Sequence, residues 1–129
     1  QVGSVRPPRV LFCGYEWPNS LRLSRERLPG WDMRSVDRSC VQETIASYRP
    51  HVIVPLMYRL DRETIQLAAR SGPLKLIHQF GAGLEGVDTE AAKDLNIPVL
   101  NIPAAQTPNA AACAEHAIFL ALSLLRHHC

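Results

Sequence analysis

The sequence lacks paired cysteine spacing, any block of like charge, any internal repeat, and any apolar run long enough to span a membrane. Each absence removes a class of protein. Cys13, Cys40, Cys113 and Cys129 stand far apart, and Cys13 and Cys113 lie inside apolar runs, where a reduced thiol behaves as a small hydrophobe. A disulfide scaffold is therefore not expected. A reducing compartment is, with a cytoplasmic location as the expectation and organelle targeting left open. Acids and bases nearly balance at a formal charge of +2 and are mixed along the chain, so neither nucleic acid nor an acidic membrane surface is implied as a partner. Arg22, Arg25 and Arg27 form the one basic cluster, with Glu26 among them, and read as solvated surface. No signal-peptide pattern is present, and the most apolar segment, residues 110–125, is short for a span and contains Glu115 and His116. No Ser-His-Asp or Cys-His arrangement stands out. Adjacent His127, His128 and Cys129 would serve one ion poorly, so no metal is expected.

What remains is an ordinary globular composition, 47% apolar and 20% charged over 129 residues, enough for one soluble domain that buries about two-thirds of its unfolded surface. The chain starts at Gln1 and stops within a helix-like segment. It is expected to be a piece of a longer product. Val10–Cys13 reads as a first strand, and any helix between Pro18 and Gly30 lies near residues 20–28. Residues 33–36 form a weak strand, and residues 41–48 a short helix stopped by Pro50. The continuous β-branched run of residues 51–56 suits a strand buried on both faces. Asp61 caps a well-marked helix with Ile65, Leu67, Ala68 and Ala69 on its apolar side and Gly72-Pro73 as its stop. A further strand begins at Leu74, a helix spans 88–95, and a strand spans 98–102. Strands and helices alternating at this spacing predict an α/β fold, flavodoxin-like, with a parallel five-stranded sheet and helices on both faces. Thr107 and Pro108 suit the start of a long last helix. That helix is apolar nearly all the way round, so one face is expected on the domain's own sheet and the other against a partner.

The most informative stretch runs from Leu74 to Asp88, where an apolar strand meets Gly81-Ala82-Gly83-Leu84-Glu85-Gly86. Three readings compete: a dinucleotide loop, a plain tight turn, and a turn whose amides hold a small anion such as a carboxylate. A dinucleotide loop needs a helix that starts inside the glycine motif and aims its N–H groups at the pyrophosphate. Here the helix start is better placed at Asp88, which would occupy those N–H groups itself, with Glu85 adding a second negative charge. The acid expected about 20 residues on to hold a ribose is missing, since the next strand offers Asn101. The anion-holding turn is the favoured reading.

Leu74 to Ile77, Gly81 to Asp88, Asn101-Ile102-Pro103, Asn109 to His116 and Leu120 to Arg126, in that order and spacing, resemble the NAD-dependent D-2-hydroxyacid dehydrogenases. The likeness is good over residues 74–126 and only topological before that. It implies that residues 1–106 are the flavodoxin-like substrate-binding domain. Residues 107–129 would then be a connecting helix leading to a Rossmann domain that this sequence does not contain. It further implies that Gly81, Ala82, Gly83 and Leu84 contact a substrate carboxylate, mainly through backbone amides, and that Asn109 donates to the same group. Ala110 and Cys113 match positions near the nicotinamide of NAD or NADP. The partners implied are a small 2-hydroxy or 2-oxo acid and, in the full-length form, a second subunit. In that family the catalytic arginine, glutamate and histidine belong to the other domain, so no catalytic residue is expected here. Glu115 and His116 match helix positions instead of a catalytic pair, and His78 reads as a satisfied core or edge histidine. A non-catalytic flavodoxin-like module that assembles through its last helix is the alternative.

Overall fold

The structure is a computed structural model that describes residues 6–14 and 18–126. His127, His128 and Cys129 lie outside the described residues. In chain order the elements are β1 (Arg9–Cys13), α1 (Pro18–Arg27), β2 (Asp32–Val36), α2 (Val41–Tyr48), β3 (Val52–Val54), α3 (Arg62–Ser71), β4 (Leu76–His78), α4 (Thr89–Asp94), β5 (Val99–Leu100) and α5 (Asn109–Leu125). All five strands pair in parallel in the order β2-β1-β3-β4-β5. This is the flavodoxin-like order, with its switch point between β1 and β3.

Alternation along the strands sends side chains to opposite faces and makes two cores. Leu11, Cys13, Ile53 and Ile77 point to one face and are covered by Val41 and Ile45 of α2, Ile65 and Ala68 of α3, and Ala91 and Ala92 of α4. Each fully buried aliphatic side chain there contributes roughly 1.5–3 kcal/mol. Burial pushes the Cys13 thiol up to about 12, so it stays protonated and packs as a hydrophobe. Val10, Phe12, Met33 and Val54 make the second core, against which Leu21 of α1 packs. Helices thus lie on both faces, three on one and α1 on the other. Beyond α1 the second face opens into an apolar groove of about 240 Å³ that takes in Trp31, His78 and Phe80. His78 is half-buried there, and its imidazole makes no hydrogen bond among the described residues.

Local chemistry sets the helix ends. The Asp61 carboxylate accepts the Thr64 N–H at 2.9 Å and caps α3, and the Asp88 carboxylate accepts the Ala91 N–H at 2.8 Å and caps α4. Gly72 ends α3 by a different route from a left-handed cap. Its φ is −164°, an extended conformation, and its missing side chain makes room for Arg49, whose Cβ would sit 2.8 Å from a Cβ placed there. The solvated arginine cluster is as expected, with Arg22 paired to Glu26 at 2.7 Å and Arg25 donating to the Met33 carbonyl at 2.8 Å.

Several expectations need correction. Thr107 does not cap α5. Its hydroxyl donates back to the Ala104 carbonyl at 3.3 Å, closing a 3₁₀ turn, and Pro108 stands at the cap with no side-chain bond. Leu95 falls beyond the end of α4 and is exposed, and Ile97 fills the core in its place. No residue of α5 is buried, so neither of its faces lies on the sheet. The connector between β5 and α5 contains Pro103, the turn Ala104–Gln106 and Pro108. Cys113, riding on that helix, is exposed as well.

Asp61→Ala should cost about 1 kcal/mol of stability at neutral pH. The Thr64 N–H holds the Asp61 carboxyl below its ordinary 3.8. Its contribution is therefore present above that value and lost as pH falls through the lowered folded-state value. Urea midpoints of the two proteins should differ at pH 7 and converge as pH drops below 3.8; a gap that stays constant would contradict the cap assignment.

Candidate functional site

The carboxyl ends of β1, β3 and β4 feed three loops that are tied to one another. Gly14, at the end of β1, has φ +96°, and a Cβ there would fall 2.6 Å from the Tyr58 Cβ, so only glycine allows the β1 and β3 loops to meet. Arg38 spans the same pair of loops, donating from Nε to the Gly14 carbonyl at 3.2 Å and from Nη2 to the Met57 carbonyl at 2.8 Å. The β3 loop in turn reaches the glycine stretch. Leu60 N–H donates to the Gly86 carbonyl at 2.8 Å, and Asp88 N–H donates to the Leu60 carbonyl at 2.9 Å.

At its other end the glycine stretch is held by the segment after β5. Ile102 N–H donates to the Gly81 carbonyl at 2.9 Å, and Asn101 Nδ2 donates to the Ala82 carbonyl at 2.6 Å. A trans peptide sets its N–H opposite its C=O. Tying off these two carbonyls on the β5 side therefore aims the N–H groups of Ala82 and Gly83 the other way. Among the described residues, the N–H groups of Ala82, Gly83 and Leu84 donate no hydrogen bond. Successive unpaired amides of this kind are an anion-binding device.

Beside this loop is a cavity of about 260 Å³. Of the seven residues singled out in the sequence, Gly81, Ala82, Asn109 and Ala110 line it. Asn109 Oδ1 accepts from the Cys113 thiol at 3.7 Å, and its Nδ2 keeps no partner among the described residues. Gly83 is exposed at the loop's tip, outside the cavity lining, with the Glu85 carboxylate folded so closely over it that a Cβ would collide with an oxygen. Leu84 borders a separate depression with Lys93 and Ile97, and its carbonyl accepts from Val87 N–H at 2.9 Å. Cys113 stands one helical turn beyond the cavity. Glu115 and His116 do not line it either; the His116 ring stacks on Phe119, with centroids 6.1 Å apart.

Phe80, Ile102, Ala104 and Thr107 complete the walls and were not singled out beforehand. Ile102 belonged to a motif used for the resemblance, but only the register of β4 against β5 puts it beside Gly81. Asn101 was read as standing where a ribose acid would and as part of a motif of the resemblance, yet it is the side chain that orients the loop. For a dinucleotide, the glycine stretch offers no diphosphate seat at a helix start. Helix α4 starts after the glycines, and its amino end is already taken by Asp88. Ala110 contributes only a small side chain to the cavity wall.

Residues 32–119 match the model of a family described as D-isomer specific 2-hydroxyacid dehydrogenase, catalytic domain. A hydroxypyruvate reductase of Thermotoga maritima is 35% identical over 78 residues, 60% of this chain and 24% of that protein. A structure reported as the pyruvate reductase of Chlamydomonas reinhardtii superposes on 95% of this chain with a TM-score of 0.75 and 26% identity, and 36% of that chain is covered. A D-lactate dehydrogenase of Aquifex aeolicus, solved with NAD and lactic acid, is 26% identical with a TM-score of 0.68, covering 89% of this chain and 33% of that one. The chain thus spans about a quarter to a third of the relatives it matches.

The contact between Gly14 and Tyr58 gives the scaffold a direct test. Gly14→Ala should lower stability by about 1–3 kcal/mol through an unfavourable φ and overpacking. Equal urea midpoints for the variant and the parent chain would show that the β1 and β3 loops do not meet as described.

Proposed function

The chain belongs to the D-isomer specific 2-hydroxyacid dehydrogenases, and from that membership we propose that it is the substrate-domain portion of an NAD(P)-dependent oxidoreductase. The parent enzyme acts on the CH–OH group of small D-2-hydroxy acids and reduces the corresponding 2-oxo acids. The observation that carries this reading is the set of unpaired amides at Ala82, Gly83 and Leu84, beside a cavity lined by Asn109 and Ala110.

In the proposed site the substrate carboxylate lies on those amides, and Asn109 Nδ2 donates to it. Fixing one end of a three-carbon acid orients its C2 toward the cavity wall at Ala110. A charged group held by preset donors needs no reorganisation when the reaction starts. NAD or NADP, when bound, supplies or accepts the hydride. Most of its binding falls to sequence outside this chain, as do the arginine, glutamate and histidine expected to handle the oxygen and proton at C2. Cys113, one turn along α5, is assigned to the rim near the nicotinamide. A cytoplasmic location and a homodimeric parent complete the proposal.

The Glu85 carboxylate over Gly83 opposes an incoming anion. At about 4 Å in water such a repulsion is worth roughly 1 kcal/mol, about fivefold in affinity. Calorimetric titration with pyruvate should therefore show weak binding by this chain and severalfold tighter binding by Glu85→Gln. Unchanged or weaker binding by the variant would place the acid elsewhere. With NADH and short 2-oxo acids added, absorbance should show no turnover by this chain alone; measurable turnover would mean that catalytic groups lie within it.

A second reading has its own observation. Ile118, Phe119, Leu122, Leu124 and Leu125 of α5 are all exposed, which suits a non-catalytic module that assembles through this helix. Sedimentation of the chain alone separates the two readings: association abolished by Leu122→Glu, with no pyruvate binding, favours assembly without substrate.

A further inference from the structure

The opposite, amino edge of the sheet holds a second polar cavity, of about 330 Å³, between the starts of β1 and β2 and the end of α2. Arg6, Arg9, Arg34 and Arg49 line it with Asp32 and Tyr48. Four arginines and a single acid line it, in a chain whose formal net charge is only +2. Like charges gathered in one hollow repel unless something of opposite sign lies among them.

Three of the guanidinium groups are held in place, and mostly by neutral partners. Arg9 donates from Nε and Nη2 to the Arg49 carbonyl at 2.9 and 2.7 Å. Arg49 donates from Nε to the Ser71 carbonyl, with its own backbone in the left-handed region at φ +55°. The Arg34 guanidinium lies over the Tyr48 ring, 4.4 Å from its centroid, and its Nε is 3.8 Å from Asp32. Arg6 has no partner among the described residues. Carbonyls and an aromatic ring fix a guanidinium without cancelling its charge, so donors remain available and their ordering entropy is already spent. The Tyr48 phenol, pushed up to about 12 by burial with Asp32 beside it, stays neutral and donates to the Asp32 carbonyl at 2.8 Å. His51, whose Nδ1 accepts the Arg9 N–H at 3.0 Å, is held below its ordinary value by burial and then by the positive field of Arg9 and Lys75.

We propose that this cavity is a second ligand site, for the phosphoryl dianion of inorganic phosphate or of a phosphate ester. One carboxylate would satisfy one guanidinium fork, whereas a phosphoryl group offers oxygens to several forks at once. The volume is at the lower end of small-molecule sites. The site lies at the amino ends of β1 and β2, whereas the 81–84 loop follows the carboxyl end of β4, so neither reading depends on the other.

Calorimetry in chloride buffer with inorganic phosphate, glycerol 3-phosphate, AMP and acetate tests this. The phosphoryl compounds should bind one per chain and acetate at least tenfold more weakly. Arg6→Gln and Arg34→Gln should each weaken phosphate about tenfold, the loss expected for a charge-assisted bond, while Arg27→Gln on α1 changes nothing. Tighter binding of an ester than of phosphate would identify the source as the ester. The Arg Nε–H resonances of the unsubstituted chain give a readout that does not depend on how the variants fold: those of Arg9 and Arg34 should shift on adding phosphate. Unshifted resonances, acetate binding as tightly as phosphate, or a single-stranded oligonucleotide binding more tightly than every small phosphate would each overturn the proposal.

Discussion

The two hydrogen bonds that draw the Gly81 and Ala82 carbonyls toward Ile102 and Asn101 are the constraint on which the site rests. A glycine-rich turn left to itself samples many orientations of its peptide planes. Pulling two consecutive carbonyls to one side selects the orientation in which the following amides face outward together. That selection requires β5 to end early. The strand consists of Val99 and Leu100 alone, so Asn101 and Ile102 are free to bond the loop instead of extending the ladder. The other end of the loop is held by Leu60, through Gly86 and Asp88, so the turn is anchored at both ends while its middle stays unpaired.

The charges around the loop follow from the same arrangement. Asp88 is used by the α4 cap, and its other oxygen lies 3.8 Å from Arg62 Nε, so it projects little toward the amides. Glu85 has no such occupation and folds over Gly83. The loop therefore pairs an anion-seeking backbone with an acidic side chain, which limits affinity for any acid held there.

Much of the fold was legible because its signals are local. Asp61 and Asp88 are caps by virtue of their own neighbours, and the β-branched run before Pro55 is a strand wherever it is placed. Features set by distant contacts were not legible. Gly72 is a glycine because Arg49 crosses it, and Gly14 because Tyr58 does. The role of Asn101 needs the β4–β5 register, and no pattern in residues 98–102 reveals it. Helix α5 was expected against the sheet because an apolar surface needs cover, but composition does not say where the cover comes from, and no residue of the helix is buried. The site was read as one continuous loop. In three dimensions it divides, with Gly81 and Ala82 facing the cavity near Asn109 and Leu84 turned to a different depression.

The central claim is that the backbone of residues 82–84 holds the acid. Nitrogen-15 amide spectra of the chain, recorded while pyruvate is added, test it most directly. The account predicts that the amide resonances of Ala82, Gly83 and Leu84 shift together with the Asn109 side-chain amide, along one saturating curve. Saturable binding that leaves those three amides unmoved while others shift would contradict it.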